Sequence, residues 1–167
     1  IPFLAALEDL DVEITAISGS SIGSVIGGLY AAGLGPTELA AVLETFRPGH
    51  LRQVFQINWH GRGLISGKSV RRFLEETLPV YGFEETRIPL KLVATDYWRR
   101  EQIVFSEGSL VDAIQASTAV PGVFEPAVVN GRILVDGAVK NTLPYELIRD
   151  QADFLIGLDV SNRSPTP

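Results

Sequence analysis

The chain has no cysteine and no methionine in its 167 residues, and only two histidines. Without cysteine there is no disulfide and no thiolate metal site, and the redox compartment stays open. Two separated histidines, His50 and His60, and no tight carboxylate cluster leave little material for a transition-metal centre. Positive charge is scarce as well. Fourteen Lys and Arg stand against twenty Asp and Glu, a net charge of −6, so binding to nucleic acid has no electrostatic support. No basic amphipathic segment is available to hold an anionic membrane surface. No apolar run is long enough to span a bilayer. What remains is ordinary for a globular protein, with 46% hydrophobic and 20% charged residues. The length suits one domain with a substantial core.

The pattern of elements is informative. Helices are expected near 2–10, 21–33, 36–46, 68–78 and 110–120, the third opened by Pro36 and the last stopped by Pro121-Gly122. Strands are expected at 12–17, 91–95, 102–105, 133–135 and 154–160, with a less regular stretch from Arg47 to Lys68. Strands alternating with helices predict an α/β layer fold with a mainly parallel sheet. There is no internal repeat. The last six residues, 162–167, read as a loop or the start of a linker after a domain over 1–161.

Gly19-Ser20-Ser21-Ile22-Gly23 spells G-x-S-x-G between a strand-like and a helix-like stretch. That setting is the strand-to-helix elbow that exposes a serine hydroxyl. Gly19 suits the crowded turn, because glycine has no Cβ to clash. The following helix has a nearly bare face at Gly23, Gly27 and Ala31, which predicts very close packing, most simply onto the sheet. The bland alternative is a serine N-cap with no chemistry.

A serine needs a base to take its proton. His50 and His60 fall in the irregular middle segment, away from the end of any late strand, and read as loop residues. The other candidate is Asp136. It follows Ile133-Leu134-Val135 and precedes Gly137-Ala138, which places it at the carboxyl end of a strand, where functional residues of open α/β sheets gather. Asp-Gly is also a common turn pair, so a capping role stays open on local grounds. Asp96, at the end of another predicted strand, reads as a loop brace. Tyr97-Trp98-Arg99-Arg100 reads as a hairpin tip. Gly61 to Ser69 is similar in outline to a phosphate-binding loop, but Arg62 stands where its first glycine should be.

Together these residues resemble the patatin-like phospholipases. The likeness rests on Ser21 in its elbow, Asp136 in Asp136-Gly137-Ala138, the run Asp112 to Pro126, Asp136 to Pro144, Gly63 to Gly67 and Leu92 to Asp96. It covers nearly the whole chain, in order. It implies a three-layer α/β/α sandwich with a mainly parallel central sheet. It also implies hydrolysis of lipid acyl esters by a Ser-Asp dyad of Ser21 and Asp136, with no histidine, through an acyl-serine intermediate. No metal or cofactor is implied. The backbone N–H of Ile22 can supply one oxyanion donor. The family's glycine-rich oxyanion loop, G-G-G-x-[KR]-G, would precede Ile1. The chain is therefore expected to be a fragment lacking the first strand and that loop, and inactive by itself. The alternatives in view are an inactive lipid-binding or regulatory member of the fold, an acyltransferase and a thioesterase. The expected partner is a lipid acyl ester, in the cytoplasm or peripheral to a membrane, with no nucleic acid and no transmembrane segment.

Overall fold

A computed structural model describes residues 1–45 and 65–160. Among these residues the α-helices and strands follow in order. They are α1 (Pro2–Asp9), β1 (Ile17–Ser20), α2 (Ile22–Ala31), α3 (Pro36–Glu44), α4 (Gly67–Thr77), β2 (Leu90–Asp96), β3 (Gln102–Phe105), α5 (Leu110–Ser117), β4 (Ala127–Val129) and β5 (Arg132–Asp136). Local chemistry sets several boundaries. Pro36 opens α3 at a position where its missing N–H costs nothing. Ser66 caps α4 by accepting the Lys68 N–H at 3.3 Å. Ser109 caps α5 by accepting from Asp112 N at 3.2 Å.

β2 is the centre of a mixed five-stranded sheet. It pairs parallel with β1 and antiparallel with β3 and β5, and β4 closes on β5. The registers matter more than the order. β3 covers Leu92 to Thr95 of β2. β1 covers Leu90 to Val93 and β5 covers Ala94 to Asp96. Both overlap β3's span, so β1 and β5 share the opposite edge of β2 and meet there end to end. Ser20 pairs with Val93, and Asp136 pairs with the next residue, Ala94.

The core lies between this sheet and α2, α4 and α5. Leu29, Leu74, Leu92, Leu110 and Ile114 are fully buried in it. The glycines of α2 have a clear packing role. A Cβ on Gly27 would sit 2.8 Å from Ile17 Cγ2 of β1, and one on Gly28 would sit 2.7 Å from Ile114 Cδ1 of α5. The bare side of α2 thus rests on one strand and one helix at once. Gly23 differs, since a Cβ there would meet nothing.

Three strand expectations change. The predicted strand 12–17 is displaced to Ile17–Ser20, because its partner β2 begins at Leu90, opposite Ile17. The predicted strand 154–160 forms no ladder among the described residues, and its apolar side chains are exposed, Phe154 at 88%. An apolar run has the composition of a strand, but a strand also needs a neighbour to bond. The short β4 was unexpected. Asn130 (φ 50°) and Gly131 (φ 74°) form a two-residue turn joining it to β5, the conformation that Asn-Gly favours in hairpins.

Candidate functional site

Ser21 stands between β1 and α2 at φ 53°, ψ −125°. For a side-chain-bearing residue this backbone is disfavoured by about 1–3 kcal/mol, and it persists only when the surroundings enforce it. They do so here. The Ser21 N–H donates to Ser117 Oγ at 3.0 Å, and the Ser21 carbonyl accepts from Ser24 Oγ at 2.6 Å and from Ser24 N at 2.9 Å. Gly19 leaves room for the bend, since a Cβ on it would lie 2.6 Å from the Gly23 carbonyl oxygen.

The end-to-end meeting of β1 and β5 brings Asp136 to this serine across 115 residues of sequence. Ser21 Oγ donates to Asp136 Oδ2 at 2.5 Å. The other carboxylate oxygen, Oδ1, accepts from Ala138 N at 2.7 Å. The Asp136 backbone is fixed on both sides, its N–H bonded to the Ala119 carbonyl and its own carbonyl to Thr95 Oγ1, each at 3.0 Å. Asp136 is 3% exposed. Burial raises its pKa above the ordinary 3.8, while the hydrogen bonds from Ser21 and Ala138 pull it partly back. Gly137 is what lets the strand end this tightly. A Cβ on it would fall 2.2 Å from the Val93 carbonyl oxygen and 2.8 Å from Ser20 Oγ. That Ser20 hydroxyl is buried with no hydrogen-bond partner among the described residues.

Ile22 opens α2, so its N–H lies where no intrahelical acceptor exists. No described group accepts from it. A cavity of about 170 Å³ opens beside Ser21, lined among others by Ile22, Val25, Phe73, Ile114 and Phe124. Its wall is almost entirely apolar. A hydroxyl aimed by a carboxylate at the mouth of an apolar slot, with a backbone N–H beside it, is a geometry suited to attack on the carbonyl of an apolar acyl group.

The structure thus brings Ser21, Ile22, Asp136, Gly137 and Ala138 into one place, with Gly19 shaping the elbow. Asp96 is elsewhere. Its Oδ1 accepts from Trp98 N and Arg99 N at 3.0 and 2.9 Å, which braces the β2–β3 hairpin. Tyr97 and Trp98 stack edge to face at that tip, ring centroids 5.0 Å apart. His50, His60 and residues 61–64 of the Gly61 to Ser69 run lie outside the described residues. None of Ser24, Thr95, Ser117 and Ala119 is assigned a role from the sequence, although Thr95 falls inside the Leu92 to Asp96 run and Ser117 and Ala119 inside the Asp112 to Pro126 run. Among the described residues no group of three His, Asp or Glu is placed to hold a metal ion. No helix among them is long and apolar enough to cross a membrane.

The family model for patatin-like phospholipase matches residues 1–148. An uncharacterized NTE family protein of Mycobacterium tuberculosis is 30% identical over 168 residues, which covers 100% of this chain and 46% of that protein. Human patatin-like phospholipase domain-containing protein 6 is 27% identical over 172 residues, 99% of this chain and 12% of that one. Lysophospholipase NTE1 of Kluyveromyces lactis is 28% identical over 163 residues, 95% and 11% respectively. The chain therefore spans less than half the length of these relatives. In fold it is similar to the crystal structure of VipD from Legionella pneumophila, with a TM-score of 0.51 and 14% identity over 82% of this chain and 43% of that one. With its family model matched over most of the sequence, the chain belongs to the patatin-like phospholipase family.

Proposed function

We propose that the protein hydrolyses lipid acyl esters, with Ser21 as nucleophile and Asp136 as the base that serves it. The observation that carries this reading is the Ser21 Oγ to Asp136 Oδ2 hydrogen bond at the mouth of the apolar cavity. The acyl chain enters the slot, which places the ester carbonyl over Ser21. As Ser21 Oγ bonds to the carbonyl carbon, its proton passes to Asp136 Oδ2, and the carbonyl oxygen takes the negative charge. The Ile22 N–H is one donor to that oxygen. Collapse breaks the bond to the leaving oxygen, which takes the proton from Asp136 and departs as an alcohol. Water, its proton taken by the same carboxylate, then bonds to the acyl carbon, and the acyl–Oγ bond breaks as Ser21 Oγ takes the proton back from Asp136, which frees the acid and restores the site.

Burial suits Asp136 to this work. A carboxylate with its pKa raised by burial is a stronger base than an exposed one. The cavity is close in size to the ~150 Å³ void that admits a benzene ring. It therefore shelters the first part of an acyl chain rather than the whole of a long one. The substrate meets the site from water or from a lipid surface, with the protein peripheral to it.

The test is turnover of short acyl esters by the full-length protein. Wild type is expected to turn over, and Ser21→Ala and Asp136→Asn to lose at least 10³-fold in kcat, in line with loss of a nucleophile or its base. A folded Ser21→Ala variant with wild-type kcat would remove Ser21 from the mechanism.

A further inference from the structure

The two halves of the site come from distant strands, and one short piece of chain touches the backbone of both. That piece is the end of α5. Ser117 Oγ accepts the Ser21 N–H at 3.0 Å, and two residues later the Ala119 carbonyl accepts the Asp136 N–H, also at 3.0 Å. Ser117 is 0% exposed and Ala119 2%. Thr118 between them is tied back to the helix, its N–H and its Oγ1 both donating to the Ile114 carbonyl at 3.0 and 2.8 Å. The segment is a helix end with Ser117 and Ala119 buried, which makes one bond to the serine backbone and one to the aspartate backbone.

We propose that Ser117 is a positioning residue, which holds the strained Ser21 backbone on the same helix end that holds Asp136 and so sets the distance between the two. The inference rests on Ser21 being the nucleophile. Without the Ser117 hydroxyl, the Ser21 N–H has no acceptor and its φ of 53° loses a restraint. The backbone relaxes, and Ser21 Oγ swings off Asp136 Oδ2. Ser117 does not line the cavity beside Ser21, whereas Ile114 and Thr118 do. Its loss therefore disturbs the attack and leaves acyl binding alone.

The experiment uses the full-length protein and a short p-nitrophenyl ester. Ser117→Ala is expected to lower kcat about 100-fold, the typical effect of an ångström-scale misplacement, with KM within twofold of wild type. The rate of labelling by a fluorophosphonate falls in parallel. The acid limb of kcat/KM also moves to higher pH, because Asp136 loses the Ser21 hydrogen bond that lowers its pKa. A merely structural serine would not move that limb. Ser117→Cys is nearly isosteric and a poor acceptor, so it gives the same result if the alanine variant fails to fold. A folded Ser117→Ala or Ser117→Cys protein with wild-type kcat and an unmoved acid limb overturns the proposal. So does a loss confined to KM. An unlabelled wild-type protein sinks the nucleophile reading and this inference together. A labelled wild type beside an unaffected Ser117 variant sinks this inference alone.

Discussion

Replacing Gly137 by alanine tests how the site is assembled rather than which groups it contains. The added methyl carbon would lie 2.2 Å from the Val93 carbonyl oxygen, 2.9 Å from the Val93 carbonyl carbon and 2.8 Å from Ser20 Oγ. The first two are backbone atoms of the central strand, held on both edges by ladder bonds. They have nowhere to go. Relief must come from the end of β5, by roughly 1 Å before the contact becomes tolerable. Asp136 is the neighbouring residue and moves with it. Its bond to Ser21 starts at 2.5 Å and then exceeds the ~3.2 Å limit of a good hydrogen bond. Misplacement on that scale costs about 10²-fold in rate, or ~2.7 kcal/mol of barrier. Overpacking of this kind costs a further ~1–3 kcal/mol of stability. The assay is ester turnover and fluorophosphonate labelling of the folded full-length variant, with its Tm. Adding Ser20→Ala removes one soft contact but leaves the Val93 backbone, so it restores little. A Gly137→Ala protein with wild-type labelling and an unshifted Tm would refute the claim that close approach of β5 to β2 delivers the carboxylate.

The buried Asp136 links function to stability. Its pKa is raised in the folded state, so its contribution to stability is present below the ordinary 3.8 and is lost as pH rises through the folded value. Asp136→Asn stays neutral, and is therefore expected to melt higher than wild type at pH 7, with the gap closing as pH falls below about 4; a lower Tm at pH 7 would contradict this. In activity, the same shift places the acid limb of wild-type kcat/KM above the ordinary carboxylate range, as a pH–rate profile will read. Ser20→Ala removes a buried hydroxyl that has no partner among the described residues, and its Tm is expected to match or exceed wild type, where a normally bonded buried hydroxyl would cost about 1–3 kcal/mol. On a ladder of p-nitrophenyl esters, kcat/KM is expected to rise to roughly six acyl carbons and then level off, and Ile114→Ala to extend the rise. His50→Ala and His60→Ala are expected to leave turnover unchanged, since no step uses a histidine.

Both halves of the candidate site were legible in the sequence because each has a local cause. A serine lifted out of a strand-to-helix turn needs Gly19 beside it, and a strand that ends in a tight turn at Asp136 needs Gly137. Those needs leave letters in fixed positions. Their meeting was implied only by the family resemblance, since it depends on β1 and β5 sharing one edge of β2, and register leaves no local mark. Ser117 was hidden for the same reason. Its hydroxyl acts on a residue 96 positions away, and in sequence it is one small residue among others at a helix end. The run from Phe154 to Val160 shows the converse failure. Its apolar composition is that of a buried strand, yet the ladder that would make it one is not among the described residues. The Asn130-Gly131 turn was the reverse case, a strong local signal beside a strand too short for its pattern to stand out.

The central claim is that Ser21 attacks, aimed by Asp136. Peptide mapping by mass spectrometry after fluorophosphonate treatment of the full-length protein tests it most directly. One phosphonyl adduct is expected on the peptide containing Ser21, formed quickly in wild type and at least 100-fold more slowly in Asp136→Asn. An adduct on another residue, or one on Ser21 that forms equally fast without the Asp136 carboxylate, would contradict it.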